Sequence, residues 1–226
     1  MKLLVATYNP GKMREYRELL AGLPADLIFP AELGLNVQVV ESGDSFEENA
    51  VLKARALSQA SGLLTLADDS GLEVDALGGA PGVRTARYAG PGASDADRYR
   101  LLLRNLEGVP WEARTARFRC VVAIATPDGQ LHTADGRCEG IIAFAPSGEH
   151  GFGYDPVFYM PDYGRTMAEL DPAIKNRVSH RARAVQAAWP ILEALLMSQQ
   201  TEKLSDLCNE ERGFQDINGS IHLIWG

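Results

Sequence analysis

Apolar and polar positions along this chain recur in a few distinct patterns, and each predicts an element. The unbroken runs Leu3-Leu4-Val5-Ala6 and Leu63-Leu64-Thr65-Leu66-Ala67 predict short buried strands. Residues 117–125 begin by alternating and then turn uniformly apolar, as a strand entering a core does. Residues 37–40, 131–134 and 138–145 are further strand candidates, with Pro127-Asp128-Gly129 as a hairpin turn before the second of them. Helical spacing appears in Met13, Tyr16, Leu19 and Leu20, and again in Phe46, Ala50, Ala54 and Leu57. It returns in Leu101, Leu102 and Leu106, and in the stripe Ala182, Val185, Trp189, Leu192 and Leu196.

The helices carry start and stop signals. Asn9 is a good N-cap with Pro10 at the first helical position, and Gly22 and Pro24 end that helix. Ser45 with Glu48 forms a capping box, Ser94 with Asp97 starts another helix, and Ser179 or a neighbour opens a last long one that Pro190 should kink. The first third therefore reads as strand–helix alternation and the middle third as antiparallel. That mixture predicts an α/β fold with a mixed central sheet flanked by helices.

Composition changes this picture little. At 226 residues the chain can bury a substantial core, as one large domain or two lobes. The net charge of −8 argues against a general nucleic-acid binder, which needs a basic face. No apolar run is long enough to span a bilayer, and the N-terminal apolar segment is too short for a signal peptide. Cys120, Cys138 and Cys208 are odd in number and widely spaced, which suits a reducing, cytoplasmic setting and no cysteine-based metal cluster.

The candidate chemistry centres on Asp68-Asp69-Ser70-Gly71 at the end of the second apolar run. Two adjacent carboxylates there need a cation nearby, and a hard dication such as Mg²⁺ would suit them; the tetrapeptide alone also reads as an ordinary turn. A strand feeding the helix that starts at Pro10 makes an anion site of free backbone N–H groups, with Lys12 in the first turn, although a surface lysine is the commoner case. Lys53 lies on one helix face with Asn49, as either a phosphate ligand or a surface charge. Phe152 between two glycines suits stacking on a planar base, or packing back on the body. His180 and Arg181 stand in the first turn of the last helix, against the dipole unless a ligand compensates.

Five segments in order resemble the inosine triphosphate pyrophosphatase family, whose members hydrolyse non-standard purine nucleoside triphosphates. They are Thr7-Tyr8-Asn9-Pro10-Gly11-Lys12, residues 41–56, residues 66–90, Gly151-Phe152-Gly153-Tyr154-Asp155-Pro156, and Lys175 with Ser179-His180-Arg181-Ala182. The resemblance covers residues 1–197, read as one nucleotide pyrophosphatase domain of two lobes with a cleft between them, of the inosine triphosphatase and Maf type. Residues 198–226 fall outside it as a tail of unknown role, with a turn at Asn218-Gly219 and a possible short strand at 221–225.

The resemblance implies Mg²⁺ held by Glu41 and Asp69, with Asp68 sharing the metal or orienting its neighbour, and Asp69 as proton acceptor. It implies that Thr7, Tyr8, Asn9, Pro10, Gly11, Lys12 and Lys53 hold the triphosphate and that Ser70 contacts substrate. Phe152, Gly153, Tyr154, Asp155, Lys175, His180 and Arg181 would hold base and sugar. It also implies a homodimer. Arg84-Thr85 departs from the family, which usually has an aromatic followed by a small hydroxyl residue. Two other readings stay open: a Maf-like pyrophosphatase for modified pyrimidine nucleotides, and a nucleotide-sensing module without catalysis.

Overall fold

The computed structural model describes residues 1–218. Its strands are β1 (Lys2–Val5), β2 (Asp26–Ile28), β3 (Leu64–Val74), β4 (Thr115–Ala125), β5 (Leu131–Ile142), β6 (Phe158–Met160) and β7 (Arg165–Thr166). Its helices are α1 (Pro10–Leu19), α2 (Phe46–Ser61), α3 (Asp95–Asn105), α4 (Pro172–Val178) and α5 (His180–Asn218). The strands form one sheet in the order β2-β1-β3-β4-β5-β6-β7. β1 pairs in parallel with β2 and β3, and the remaining pairs are antiparallel, so the sheet is mixed as the sequence predicts.

β3 is the central fact of the fold. It does not end at Asp68. It continues through Asp68-Asp69-Ser70-Gly71 to Val74, with Asp68 opposite Val122 and Asp69 opposite Val121 on β4. Neighbouring strand residues point to opposite sheet faces, so the two carboxylates are delivered to different layers. Leu64 and Leu66, on the Asp68 side, pack with Tyr16 of α1 and Val185 of α5. Ala67, next to Asp68 and on the Asp69 side, packs with Phe46 and Ala54 of α2. A third cluster, with Leu72, Leu102, Phe118 and Phe158, fills the far end of the sheet beneath α3. The first two clusters form one lobe and the third the other.

Several sequence expectations need correction. Residues 37–40 form no strand; they run as an irregular segment in which Val37 and Val39 are half-buried beside α2 and Val40 is exposed. The strands read at 131–134 and 138–145 are one continuous β5 that ends at Ile142, with residues 143–145 outside it. Gly136 makes that possible: a Cβ there would lie 2.3 Å from the Ala184 backbone nitrogen and 2.4 Å from the His180 carbonyl oxygen. The start of α5 presses on the strand at the one point where nothing protrudes. Ser45 caps α2 by accepting from the Glu48 amide, but the Glu48 carboxylate accepts from Asp44, so the capping box is only half made. β2 and α4 were not foreseen as elements; Asp171 caps α4 by accepting from the Ala173 amide. α5 runs on through Pro190 and position 197 to Asn218. The strand expected at 221–225 lies outside the described residues. Among the described residues, no helix is long and apolar enough to cross a membrane.

Candidate active site

β1 stops at Val5, opposite Leu66, while β3 continues. The edge of β3 beyond that point is left open, and the chain turns from β1 into α1 beside it. A cleft of about 680 Å³ lies here, a size that suits a small-molecule ligand. It is lined by Thr7, Tyr8, Asn9, Lys12, Glu41, Lys53, Asp68, Asp69 and Ser70 on one side. Phe152, Gly153, Tyr154, Asp155, Lys175, His180 and Arg181 line the other. Pro10 and Gly11 are the only sequence-predicted site residues that do not line it. Gly11 is nonetheless close: a Cβ there would lie 2.6 Å from the Phe152 ring, so this glycine lets the ring sit against the start of α1.

At one end, Lys53 Nζ lies 2.9 Å from Asp69 and 3.0 Å from Glu41. Two carboxylates from separate segments thus converge on one positive point. Their hard oxygens are the donors a small dication takes, usually with phosphate and water completing its shell. Among the described residues no group of three or more His, Cys, Asp or Glu side chains gathers. Asp68 is differently occupied: its Oδ2 meets Lys12 at 2.9 Å and Arg181 at 3.1 Å, with the Cys120 thiol at 3.7 Å.

The environments push the two aspartates apart. Burial disfavours charge on both. On Asp68, Lys12 and Arg181 overcome it and hold the carboxyl far below the usual range. On Asp69, burial prevails over Lys53 and the pKa is raised. Adjacent carboxylates so separated suit different tasks, an anchor and a proton acceptor.

The expected free amides at the start of α1 are taken. Asn9 Oδ1 accepts from the Gly11 and Lys12 amides at 2.8 and 3.1 Å. The cationic character of this end therefore rests on Lys12, Lys53 and the helix dipole. Tyr8 plays a part that sequence did not assign: its hydroxyl donates to the Leu35 carbonyl and accepts from the Val37 amide, tethering the irregular segment beside the cleft.

At the other end, Asp155 Oδ2 accepts from Lys175 Nζ at 2.6 Å and from the Phe152 amide at 2.8 Å. Lys175 Nζ lies 5.0 Å from the Phe152 ring centroid and the Arg181 guanidinium 5.7 Å from it. His180 stacks on Phe118, with centroids 4.7 Å apart. Arg181 also donates to Ser70 at 2.9 Å, tying this end to β3.

Sequence reasoning missed Glu15, which accepts from both Lys175 and Arg181. Its signal was a carboxylate beside Tyr16, one helical turn beyond Lys12. It also missed Asp95, whose Oδ2 accepts from the Gly153 amide at 2.7 Å and fixes the aromatic loop to α3. The departure at Arg84-Thr85 is local. Thr85 accepts from the Leu72 amide and donates to Gly82, its carbonyl receives the Tyr154 hydroxyl, and Arg84 is exposed.

His180 gives a pH prediction. Burial, with help from Arg181 and Lys175, holds its pKa well below 6.5, so the folded ring is neutral at pH 7. Unfolded, it takes up a proton near pH 6.5. Its contribution to stability is complete above that pH and erodes as pH falls below it. Melting temperatures measured from pH 8 to 5 should decline below about 6.5. His180→Gln should flatten that decline; an unaltered slope would assign it to other groups.

Comparison with known proteins agrees with the five-segment resemblance. A family model described as the Ham1 family matches residues 3–191. The dITP/XTP pyrophosphatase of Desulforamulus reducens is 51% identical, over 88% of this chain and 100% of its own. That of Bacillus subtilis is 46% identical, over 84% of this chain and 96% of its own. The solved structure of a HAM1 protein from Coxiella burnetii matches with a TM-score of 0.77 at 41% identity, over 88% of this chain and 99% of its own. With a family model spanning most of its length and relatives matched almost end to end, the chain belongs to the Ham1 family.

Proposed function

We propose that the chain hydrolyses non-canonical purine nucleoside triphosphates, namely ITP, dITP and XTP, between the α and β phosphates, yielding monophosphate and pyrophosphate. The observation that carries this reading is one cleft with two chemically distinct ends. Acids and lysines gather at one end, and an aromatic ring framed by cations stands at the other. The relatives named dITP/XTP pyrophosphatase support it.

Positioning and charge neutralisation carry most of such chemistry. Lys12 and Lys53 neutralise the phosphates and the leaving pyrophosphate. Glu41 and Asp69 would hold Mg²⁺, which when bound supplies further neutralisation and acidifies a coordinated water. Asp69, whose proton affinity is raised by burial, accepts the proton of the attacking water. Asp68 stays ionised and holds Lys12 and Arg181 in place. Phe152 stacks on the base. Arg181 has bonds to Asp68, Ser70 and Glu15 that commit all but one N–H, on Nη1. That remaining donor suits a 6-oxo group and repels the 6-amino group of adenine. The homodimer and the tail beyond residue 197 belong to this reading as expectations, the first checked by mass in solution.

The test is pyrophosphate release from a panel of ITP, XTP, dITP, GTP, ATP and dUTP, with and without Mg²⁺. The first three should turn over fastest and only with the metal. Preference for dUTP, or binding without turnover, would replace this reading.

A further inference from the structure

We propose that Glu15 is a specificity-determining positioning residue. It aims the donors of both Lys175 and Arg181 at the base without itself touching substrate. The proposal rests on the reading of the cleft given above.

Glu15 is buried and does not line the cleft. Its Oε1 lies 2.8 Å from Lys175 Nζ, and its Oε2 accepts from Arg181 Nη1. Each carboxylate oxygen thus serves a different cation. The remaining partners complete an alternating chain, buried but for half-buried Lys12: Lys12, Asp68, Arg181, Glu15, Lys175, Asp155. Three positive and three negative groups follow one another, and Glu15 is the link between the arginine side and the lysine side. It comes from α1, the helix that also carries Lys12.

Hydrogen counting gives the link its consequence. Lys175 has donors only, and Asp155 and Glu15 engage two of them. Arg181 likewise keeps one uncommitted N–H. With Glu15 in place, each cation offers one remaining N–H in a fixed direction and no acceptor. The 6-oxo group of a purine can accept from such donors, and the 6-amino group of adenine cannot. Without the Glu15 carboxylate, the ammonium and guanidinium gain rotational freedom. Discrimination should therefore fall because ITP loses while ATP does not.

The experiment measures kcat/KM for ITP and ATP in wild type, Glu15→Gln and Glu15→Asp, with folding checked by thermal melting. Glu15→Gln should lower the ITP-to-ATP ratio by about tenfold or more. Glu15→Asp keeps the charge but shortens the reach, so its ratio should lie between Gln and wild type. Equal losses for both nucleotides in both variants, as a purely structural role would give, overturn the proposal. If Glu15→Gln does not fold, the aspartate variant decides alone, since a ratio within about twofold of wild type then overturns it. A wild-type protein that turns over ITP no better than ATP defeats the functional reading itself. A selective wild type with unaltered variants defeats only the role of Glu15.

Discussion

Asp69→Asn is expected to lower ITP turnover by about 10²–10⁴-fold, the range a general base contributes, while the protein melts close to wild type. The two halves of this expectation have separate causes. Asp69 holds a raised pKa because burial outweighs Lys53, so its charge is poorly favoured where it stands. Removing that charge costs the fold little. Lys53 keeps Glu41 as a partner at 3.0 Å, and the amide of Asn still fills the space facing Asn49. Catalysis loses more, because an amide cannot accept a proton from water at neutral pH. Steady-state kinetics with a melting curve separate the effects. Near-normal turnover would remove Asp69 from the mechanism, and a collapse in stability would mean its charge is structural.

The elements that sequence made legible are those whose signals are local. Asn9 before Pro10, Ser94 with Asp97 and the stripe of α5 each act within a few residues, and each stands as read. What was misread depends on partners far away in the chain. Asp68-Asp69 looked like the end of a strand because adjacent buried carboxylates are costly. They stand inside β3 because Lys12, Lys53 and Arg181 arrive from three other elements to balance them. Residues 37–40 have the apolar content of a strand, but no neighbouring strand offers them a ladder; instead the Tyr8 hydroxyl takes the Leu35 and Val37 backbone groups. β5 looked interrupted at Asp135-Gly136-Arg137 because the gap that α5 fills cannot be seen from β5 alone. The site residues were identified through the resemblance. Glu15 escaped because it acts on other side chains and matches none of the five segments.

Asp68→Asn should behave in the opposite way to its neighbour, with stability as the larger loss. Asp68 is buried against Lys12 at 2.9 Å and Arg181 at 3.1 Å, and these cations overcome the cost of burial to keep it ionised. Removing one member of a buried ion pair leaves the other charge uncompensated, a loss of about 3–5 kcal/mol. Arg181 retains Glu15, but Lys12 loses the one short contact with an acid that it makes among the described residues. Lys12, so orphaned, faces the cleft, and a polyanion should restore what the carboxylate supplied. Inorganic pyrophosphate should therefore raise the melting temperature of Asp68→Asn more than that of wild type, through preferential binding to the folded form. Denaturant unfolding with and without pyrophosphate reads both effects. A variant as stable as wild type would show that Asp68 is not the anchor of this cleft. Equal stabilisation of both proteins by pyrophosphate would show that Lys12 does not face the phosphate site.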